Sequence, residues 1–341
     1  MQPHLALITN PMASTIPARP ALLEVRNVCA SLGSSDVLKN VNFSLAPGER
    51  TAIVGESGCG KTVMGLSILG LVSSAFSLRG EILFEGRNLL DLSAKAMRHV
   101  RGREISMIFQ EPMMTLDPVF TIGTQICETL RTHFKMSRKE ARERAIDALA
   151  QVGIPAPAER IDDYPHQLSG GMRQRAMIAI ALACEPKLII ADEPTTALDV
   201  TVQAQITDLL VNLSEKHGTA ILFITHDLGV AAETCDRLIT MYAGQVVENA
   251  AIDDLLVRPL HPYSSGLLRS LPRMSKRRTT LPSIPGRVPT TGEMPDGCRF
   301  EPRCSHAKAS CKAEQSLLPA GEARKVACCR YEELVLPGVL T

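Results

Sequence analysis

The sequence has few aromatic residues: it has no tryptophan and four tyrosines, and aromatic residues make up 4% of its 341 residues. It also lacks an excess of either charge, since its formal net charge is +1. A protein that neutralises many nucleic-acid phosphates usually carries a basic excess, so the composition disfavours that class. The hydrophobic fraction of 45% is typical of a globular chain that can bury a core.

Membrane and secretion signals are missing as well. No run approaches the roughly 18 apolar residues of a membrane-spanning helix, because glycine, proline or charge interrupts the longest candidates. Residues 1–20 have no basic start, and their apolar stretch at 5–8 is too short for a signal peptide core. We interpret 1–20 as a flexible tail, and we expect any membrane association to come through partner chains.

The chain has ten cysteines, and five of them lie between residues 298 and 329. Without a secretion signal, they are expected to be reduced or to bind metal. Their spacing does not match the short Cys-x-x-Cys knuckles of zinc sites, and it leaves room for four thiolates around a bulkier [4Fe–4S] cluster. Free thiols, zinc and disulfides are the alternatives. The expected ligands are Cys298, Cys304, Cys311 and Cys328, with Cys329 as an alternative fourth ligand.

Short apolar runs alternate with helical patterns along most of the chain, which indicates an α/β fold. The runs at 51–54, 188–191, 220–225 and 237–242 are predicted strands. About 130 residues separate the first phosphate motif from the next acidic strand end, too many for one crossover. We predict a helical insertion over 111–183, where Ser137 opens a capping box. Seven prolines between positions 259 and 295 mark residues 251–341 as a separate C-terminal extension.

Residues 55–62 match the phosphate-binding pattern G-x-x-x-x-G-K-[ST], between a predicted strand and a helical run. Backbone N–H groups of such a loop surround phosphate oxygens, and the helix that follows adds its dipole. Lys61 is predicted to reach the terminal phosphates of ATP, and Thr62 to ligate Mg²⁺. The candidate nucleotide ligands are Gly55, Glu56, Ser57, Gly58, Cys59, Gly60, Lys61 and Thr62.

Cys59 lies within this loop, close to the start of a helix, where a thiol pKa tends to fall and reactivity to rise. We therefore expect alkylation of Cys59 to block ATP hydrolysis and bound ATP to protect it.

Two carboxylates follow the apolar run at 188–191. Asp192 is placed to hold Mg²⁺, and Glu193 is the better candidate to orient and deprotonate the attacking water. A second anion site is predicted where a long helix opens with two glycines behind an N-cap serine. Its residues are Leu168, Ser169, Gly170 and Gly171. Because one nucleotide needs only one phosphate loop, a second site suggests that two chains share each ATP.

These motifs, in this order, resemble the nucleotide-binding domain of ABC transporters. The resemblance implies an α/β, RecA-like P-loop NTPase core with an antiparallel β subdomain and the helical insertion, over residues 21–250; we call this region the cassette. It implies that Gln110 contacts Mg²⁺ and couples to membrane subunits, and that residues 168–172 contact the γ-phosphate of the opposite subunit. Asp199 would be the D-loop aspartate, and His226 the switch histidine. One departure is Leu32, where the family usually stacks an aromatic ring on adenine.

Within the family, residues 110–118 and 164–168, the His261-Pro262-Tyr263 motif and residues 297–304 resemble the oligopeptide, dipeptide and nickel importer ATPases. The resemblance implies an ATPase on the cytoplasmic face of the cell membrane, bound there through two permease subunits. It also implies a second ATPase subunit, an extracytoplasmic substrate-binding protein and no nucleic acid. The alternatives to peptide import are nickel or other small-solute import and a non-transport ABC-type ATPase.

Overall fold

The computed structural model describes residues 21–111, 115–195, 199–271, 283–290, 293–321 and 323–339. The predicted tail at 1–20 lies outside the described residues. So do positions 112–114, which belong to the segment 110–118 that resembles the peptide and nickel importer ATPases.

A small antiparallel sheet opens the cassette. Its order is β2-β1-β4-β5, and its strands are β1 (Leu23–Leu32), β2 (Ser35–Leu45), β4 (Phe76–Phe84) and β5 (Arg87–Asn88). Inward-facing apolar residues such as Val25, Phe43 and Ile82 are almost fully buried. This sheet is the antiparallel β subdomain that the family resemblance implied.

The larger sheet has eight strands in the order β11-β12-β10-β9-β3-β8-β7-β6. Five of them are mutually parallel: β3 (Arg50–Val54), β6 (Ile105–Ile108), β7 (Leu188–Asp192), β8 (Ala220–Thr225) and β9 (Arg237–Tyr242). The antiparallel edge consists of β10 (Gln245–Ala251), β11 (Leu318–Pro319) and β12 (Lys325–Val326). The four predicted strands are confirmed, two of them with identical bounds and two extended by one residue.

Helices cover both faces of this sheet. They are α1 (Lys61–Ile68), α2 (Ala94–Val100), α3 (Ile122–His133), α4 (Arg138–Gln151), α5 (Pro157–Arg160), α6 (Gly170–Leu182), α7 (Val200–His217), α8 (Leu228–Thr234), α9 (Ile252–Val257) and α10 (Pro262–Arg269). Helices α3 to α6 lie between β6 and β7 and form the predicted insertion. The capping box at Ser137 and Glu140 is present at the start of α4.

Successive side chains of a parallel strand point to opposite faces of the sheet, so the strands contribute to two separate hydrophobic cores. On β7, Ile189 packs with the helical insertion, whereas its neighbours Leu188 and Ile190 pack with α1 and the small sheet. Both faces of the strand are therefore buried, which explains its apolar sequence. No described helix is long and apolar enough to cross a membrane.

The extension packs on the cassette rather than apart from it. Its strand β12 pairs with β10, and its Phe300 joins Tyr242 and Tyr263 in a third, aromatic core. Two short 3₁₀ helices lie near its cysteines: Cys304 follows Glu301–Arg303, and Cys311 lies within Ala309–Lys312. The division at residue 250 stays a prediction.

Candidate nucleotide site

The phosphate loop connects the end of β3 to the start of α1. Two glycines are required there by close contacts. A Cβ on Gly55 would lie 2.2 Å from the Met241 carbonyl oxygen, and one on Gly60 would lie 2.8 Å from Leu38 Cδ2. Gly60 also has φ of +98°, which favours glycine. The loop therefore curls tightly against β2 and β9 and presents its backbone at the carboxyl edge of the sheet.

Lys61 is 6% exposed, and its side chain turns back over the loop. Its Nζ donates to the carbonyl oxygens of Gly55 at 2.8 Å and Glu56 at 3.2 Å. These bonds hold the ammonium group beside the loop in which phosphate oxygens would be bound.

Thr62 and Asp192 meet across the end of the sheet, where the Thr62 hydroxyl donates to Asp192 Oδ1 at 3.3 Å. Asp192 is 3% exposed. Burial raises its pKa, and the hydroxyl of Thr62 and the charge of Lys61 offset only part of this effect. A hydroxyl and a carboxylate are hard oxygen ligands of the kind that Mg²⁺ prefers, and a cation there would favour the charged carboxylate. The predicted Mg²⁺ ligands Thr62 and Asp192 are thus adjacent.

Glu193 follows directly and has φ of +45°, an uncommon conformation for a residue with a side chain. Its N–H donates to the Ile224 carbonyl at 2.8 Å, which fixes it beside β8. Its carboxylate accepts from Gln110 Nε2 at 2.9 Å and from His226 Nδ1 at 3.1 Å. The structure therefore brings together the three residues predicted to be catalytic. Such strained backbone is often found at functional sites.

The predicted second anion site lies at the start of α6. Ser169 is the N-cap residue, and its hydroxyl accepts from Met172 N–H at 3.3 Å. Ser169 and Gly170 are exposed, and no described hydrogen bond or ion pair joins either of them to residues 55–62. Leu168 is buried, and a Cβ on Gly171 would lie 3.3 Å from Val202 on α7. The role of this helix start as a second anion site stays a prediction.

Asp199 caps α7, with its carboxylate accepting from Val202 N–H at 2.9 Å. Its predicted role toward a second subunit stays a prediction. Leu32, at the end of β1, is 45% exposed and offers an apolar surface but no ring.

Three contacts at this site were not predicted from the sequence. Gln174 on α6 is 2% exposed and donates to the carbonyl of Pro194, next to Glu193. Tyr263 accepts a hydrogen bond from the backbone of the phosphate loop, and Arg303 forms an ion pair with Glu56. The motifs that contain Tyr263 and Arg303 were visible in the sequence as family features, but nothing in them indicated contact with the loop.

The prediction that Cys59 has a lowered pKa is wrong. Cys59 is 1% exposed, packed in the core between α1 and the small sheet. Burial raises the pKa of its thiol, and the Lys61 charge offsets only part of that effect. The position beside a helix start was correctly predicted, but tertiary packing outweighs the dipole.

The metal centre expected at the C-terminal cysteines is not supported directly. Among the described residues, no group of three or more His, Cys, Asp or Glu side chains could hold a metal ion. The thiols are nevertheless neighbours. Burial raises the pKa of Cys298 to about 12 and that of Cys328 to about 11, and the thiols of Cys304 and Cys311 add to both effects. Cys329 is exposed.

Comparison with known proteins identifies similar sequences over most of the chain. Residues 38–196 match the family described as ABC transporter, and residues 247–311 match the one described as oligopeptide/dipeptide transporter, C-terminal region. A probable peptide ABC transporter ATP-binding protein of Sinorhizobium fredii is 51% identical, over 94% of this chain and 98% of that protein. An oligopeptide transport ATP-binding protein of Bacillus subtilis is 53% identical, over 86% of this chain and 90% of that protein.

Solved structures are similar over about two thirds of the chain. One component of a Clostridium perfringens ABC transporter complex has a TM-score of 0.61 and 29% identity, and covers 69% of this chain and 90% of that one. A bacterial ABC transporter cassette in a dimeric, post-hydrolysis state with ADP and Pi has a TM-score of 0.61 and 32% identity. That match covers 67% of this chain and 98% of the other.

Proposed function

This chain belongs to the ABC transporter family, as an ATP-binding protein with an oligopeptide/dipeptide-type C-terminal region, and on that premise we propose that it hydrolyses ATP to power the import of peptides. The observation that carries the proposal is the convergence of Gln110, Glu193 and His226 beside the phosphate loop. Family membership supports ATP hydrolysis as the reaction, and the contacts of these three side chains support their assignment as the residues that perform it.

ATP is bound first through its phosphates. The backbone N–H groups of residues 55–62 and the start of α1 attract the anion, and Lys61 exchanges carbonyl oxygens for terminal phosphate oxygens. Thr62 and Asp192, with Gln110, would hold Mg²⁺, which neutralises charge on the β- and γ-phosphates. The exposed start of α6 would contact the nucleotide of a second ATPase subunit, so that two chains share each ATP.

Glu193 is the proposed general base. Its carboxylate takes a proton from the attacking water as the water oxygen bonds to the γ-phosphorus and the bond to the β–γ bridging oxygen breaks, leaving ADP and phosphate. An ionised carboxylate only accepts hydrogen bonds, so the facing Nδ1 of His226 carries a proton and Gln110 presents its amide N–H. These two donors orient the carboxylate at the sheet edge.

The proposal also includes the class of substrate and the partner subunits. The curated relatives are described as peptide, oligopeptide and dipeptide ATP-binding proteins, which favours peptides over nickel or other small solutes. We infer a peripheral position on the cytoplasmic face of the membrane, two permease subunits, a second ATPase subunit and an extracytoplasmic substrate-binding protein.

The test is reconstitution of the chain with its permeases, its partner ATPase and its binding protein in vesicles. We expect ATP-dependent uptake of labelled di- and oligopeptides, and loss of uptake when Lys61→Ala is present. Uptake of nickel without peptide uptake would overturn the substrate assignment. ATP hydrolysis that is unaffected by Lys61→Ala would overturn the nucleotide site.

We also propose that Cys298, Cys304, Cys311 and Cys328 hold a [4Fe–4S] cluster. The support for this proposal is that the four thiols are close enough for neighbouring thiols to raise the pKa of Cys298 and Cys328, and four thiolates are the donor set that such a cluster uses. Cys311 is buried, and the other three are partly buried. The cluster would supply folding free energy to an extension with little core of its own. Anaerobically purified protein should be brown and contain about four irons per chain, and Cys304→Ser with Cys311→Ser should remove both. Colourless wild-type protein without iron would refute this assignment.

A further inference from the structure

We propose that Arg303, in the C-terminal extension, is a positioning residue for ATP binding, because it neutralises the carboxylate of Glu56 inside the phosphate loop. The inference rests on the proposed nucleotide site at residues 55–62. It assigns to the extension a direct part in the affinity for the nucleotide.

The contact is a bidentate ion pair between residues far apart in the sequence. Arg303 Nη1 lies 2.6 Å from Glu56 Oε2, and Nη2 lies 2.9 Å from Oε1. The Arg303 side chain is 5% exposed, and that of Glu56 is 30% exposed. Two parallel N–H···O bonds fix both distance and orientation, which a single point charge would not do.

Arg303 is fixed by the extension and by the end of the cassette sheet. Its Nε donates to the Pro285 carbonyl at 2.8 Å, and its Nη2 also lies 3.4 Å from the Gly286 carbonyl. Its guanidinium carbon is 5.7 Å from the centre of the Tyr242 ring, a cation–π distance. The guanidinium is therefore held at the loop by groups outside the loop.

Glu56 is engaged through all three of its polar groups. Its N–H donates to the Tyr263 hydroxyl at 2.8 Å, and its carboxylate accepts from Arg303. Its carbonyl accepts from Lys61 Nζ at 3.2 Å. Glu56 thus connects the extension on one side to the phosphate-binding lysine on the other.

The charge of Glu56 explains why this pairing matters for function. A phosphate loop attracts anions through N–H groups and the helix dipole, and Glu56 is the only acidic residue among residues 55–62. An unpaired carboxylate there would repel the phosphates, at short range and away from full solvent screening. Arg303 cancels that charge without occupying the loop.

The experiment measures KM and kcat for ATP, with equilibrium nucleotide binding, in the assembled transporter. Arg303→Gln should raise KM about tenfold and leave kcat within about twofold, because the unpaired Glu56 opposes binding more than chemistry. The increase should shrink as salt rises, since added ions screen the repulsion. Arg303→Lys, which keeps the charge, should give a smaller increase.

The decisive variant is the double replacement Arg303→Gln with Glu56→Gln. Removal of the carboxylate removes the repulsion, so we expect KM to return to within about threefold of wild type. A purely structural role for Arg303 predicts that the double variant binds ATP no better than Arg303→Gln alone, and that result would overturn the proposal.

Two controls separate the possible failures. Arg330, another arginine of the extension, pairs with Glu333 and donates to the His306 carbonyl, away from the loop. Arg330→Gln should leave KM unchanged, and an equal increase would mean that general loosening of the extension is responsible. If Lys61→Ala weakens ATP binding but Arg303→Gln does not, the nucleotide site stands and only this inference is wrong.

Discussion

In the predicted cassette, the functional side chains follow strands of four to six residues that are buried on both faces. The described part of the extension, in contrast, has two strands of two residues each. The extension is held instead by a few specific contacts. Phe300 packs against Tyr242 and Tyr263, with ring centres 5.1 and 5.4 Å apart, and Arg324 pairs with Glu248. In the cassette, the buried strands stabilise the fold, so the site residues at their ends need not do so. In the extension, individual side-chain contacts stabilise the fold.

The sharpest test of this division removes a charge from the cassette site. Glu193→Gln should lower ATP turnover by about a hundredfold or more while ATP binding and the melting temperature stay near wild type. The reason is that the strands that hold Glu193 are unchanged and only the proton acceptor is lost. Steady-state hydrolysis, nucleotide binding and thermal unfolding measure the three quantities.

Glu233→Gln is the matched control, because Glu233 is an exposed carboxylate on α8. It should leave turnover unchanged. If Glu193→Gln retained more than about a tenth of wild-type turnover, Glu193 could not be the general base.

The corresponding test in the extension removes a ring. Phe300 is 4% exposed, and Phe300→Ala should lower the free energy of unfolding by about 3–5 kcal/mol, since it leaves a cavity in a small core. Hydrogen exchange should rise in the extension before it rises in the parallel strands. The matched variant is Phe84→Ala in the small sheet, where exchange should rise in the cassette. Equal exchange throughout the chain after Phe300→Ala would contradict the comparison.

The next prediction concerns how a buried histidine of the extension makes stability depend on pH. His261 is 1% exposed, and its Nδ1 accepts from Tyr263 N–H at the start of α10. Burial lowers its pKa to about 3, while an unfolded histidine titrates near about 6.5. Below that pH the unfolded chain binds a proton that the folded chain excludes. Stability should therefore fall with decreasing pH, by about 1.4 kcal/mol per unit between about pH 6 and 4 from this group.

Denaturant unfolding at a series of pH values measures this slope. His261→Asn keeps a side-chain acceptor for the helix N-terminus and removes the titrating group, so its slope should be shallower than that of wild type. His217→Asn, at an exposed position on α7, should keep the wild-type slope. A His261→Asn protein as acid-sensitive as wild type would show that other groups govern the response.

The contrast between the cassette and the extension also explains which features could be predicted from the sequence. The strand at Leu188–Asp192 and the capping box at Ser137 were predictable because local sequence determines both: an apolar run bounded by carboxylates, and a serine three residues before a glutamate. Gln110, Glu193 and His226 were predictable through the family order of their motifs. Their convergence follows from the parallel strands, whose carboxyl ends share one edge.

The extension contacts were not predictable in this way. Glu56 and Arg303 are 247 residues apart, and an ion pair leaves no periodic pattern in the sequence. Strands β11 and β12 are too short to show alternation, and they pair with each other and, through β12, with the edge strand β10. In the extension, local sequence identifies the motif, and tertiary structure decides what it touches.

The smallest expected effect concerns cysteine reactivity, because the two regions each have a cysteine and the two differ in exposure. Cys59 is buried in the cassette with a raised pKa, and Cys329 is exposed in the extension. Because the thiolate is the reactive species and must be accessible, native protein treated with iodoacetamide should be labelled at Cys329 at least about tenfold faster than at Cys59. Mass spectrometry of the digested protein gives both rates, and Cys329→Ser identifies the fast site.

Early labelling should leave ATP turnover unchanged. Rapid labelling of Cys59 that ATP prevents would show instead that the loop opens often enough to expose its thiol, and that the packing around Gly55 and Gly60 is looser than these contacts indicate.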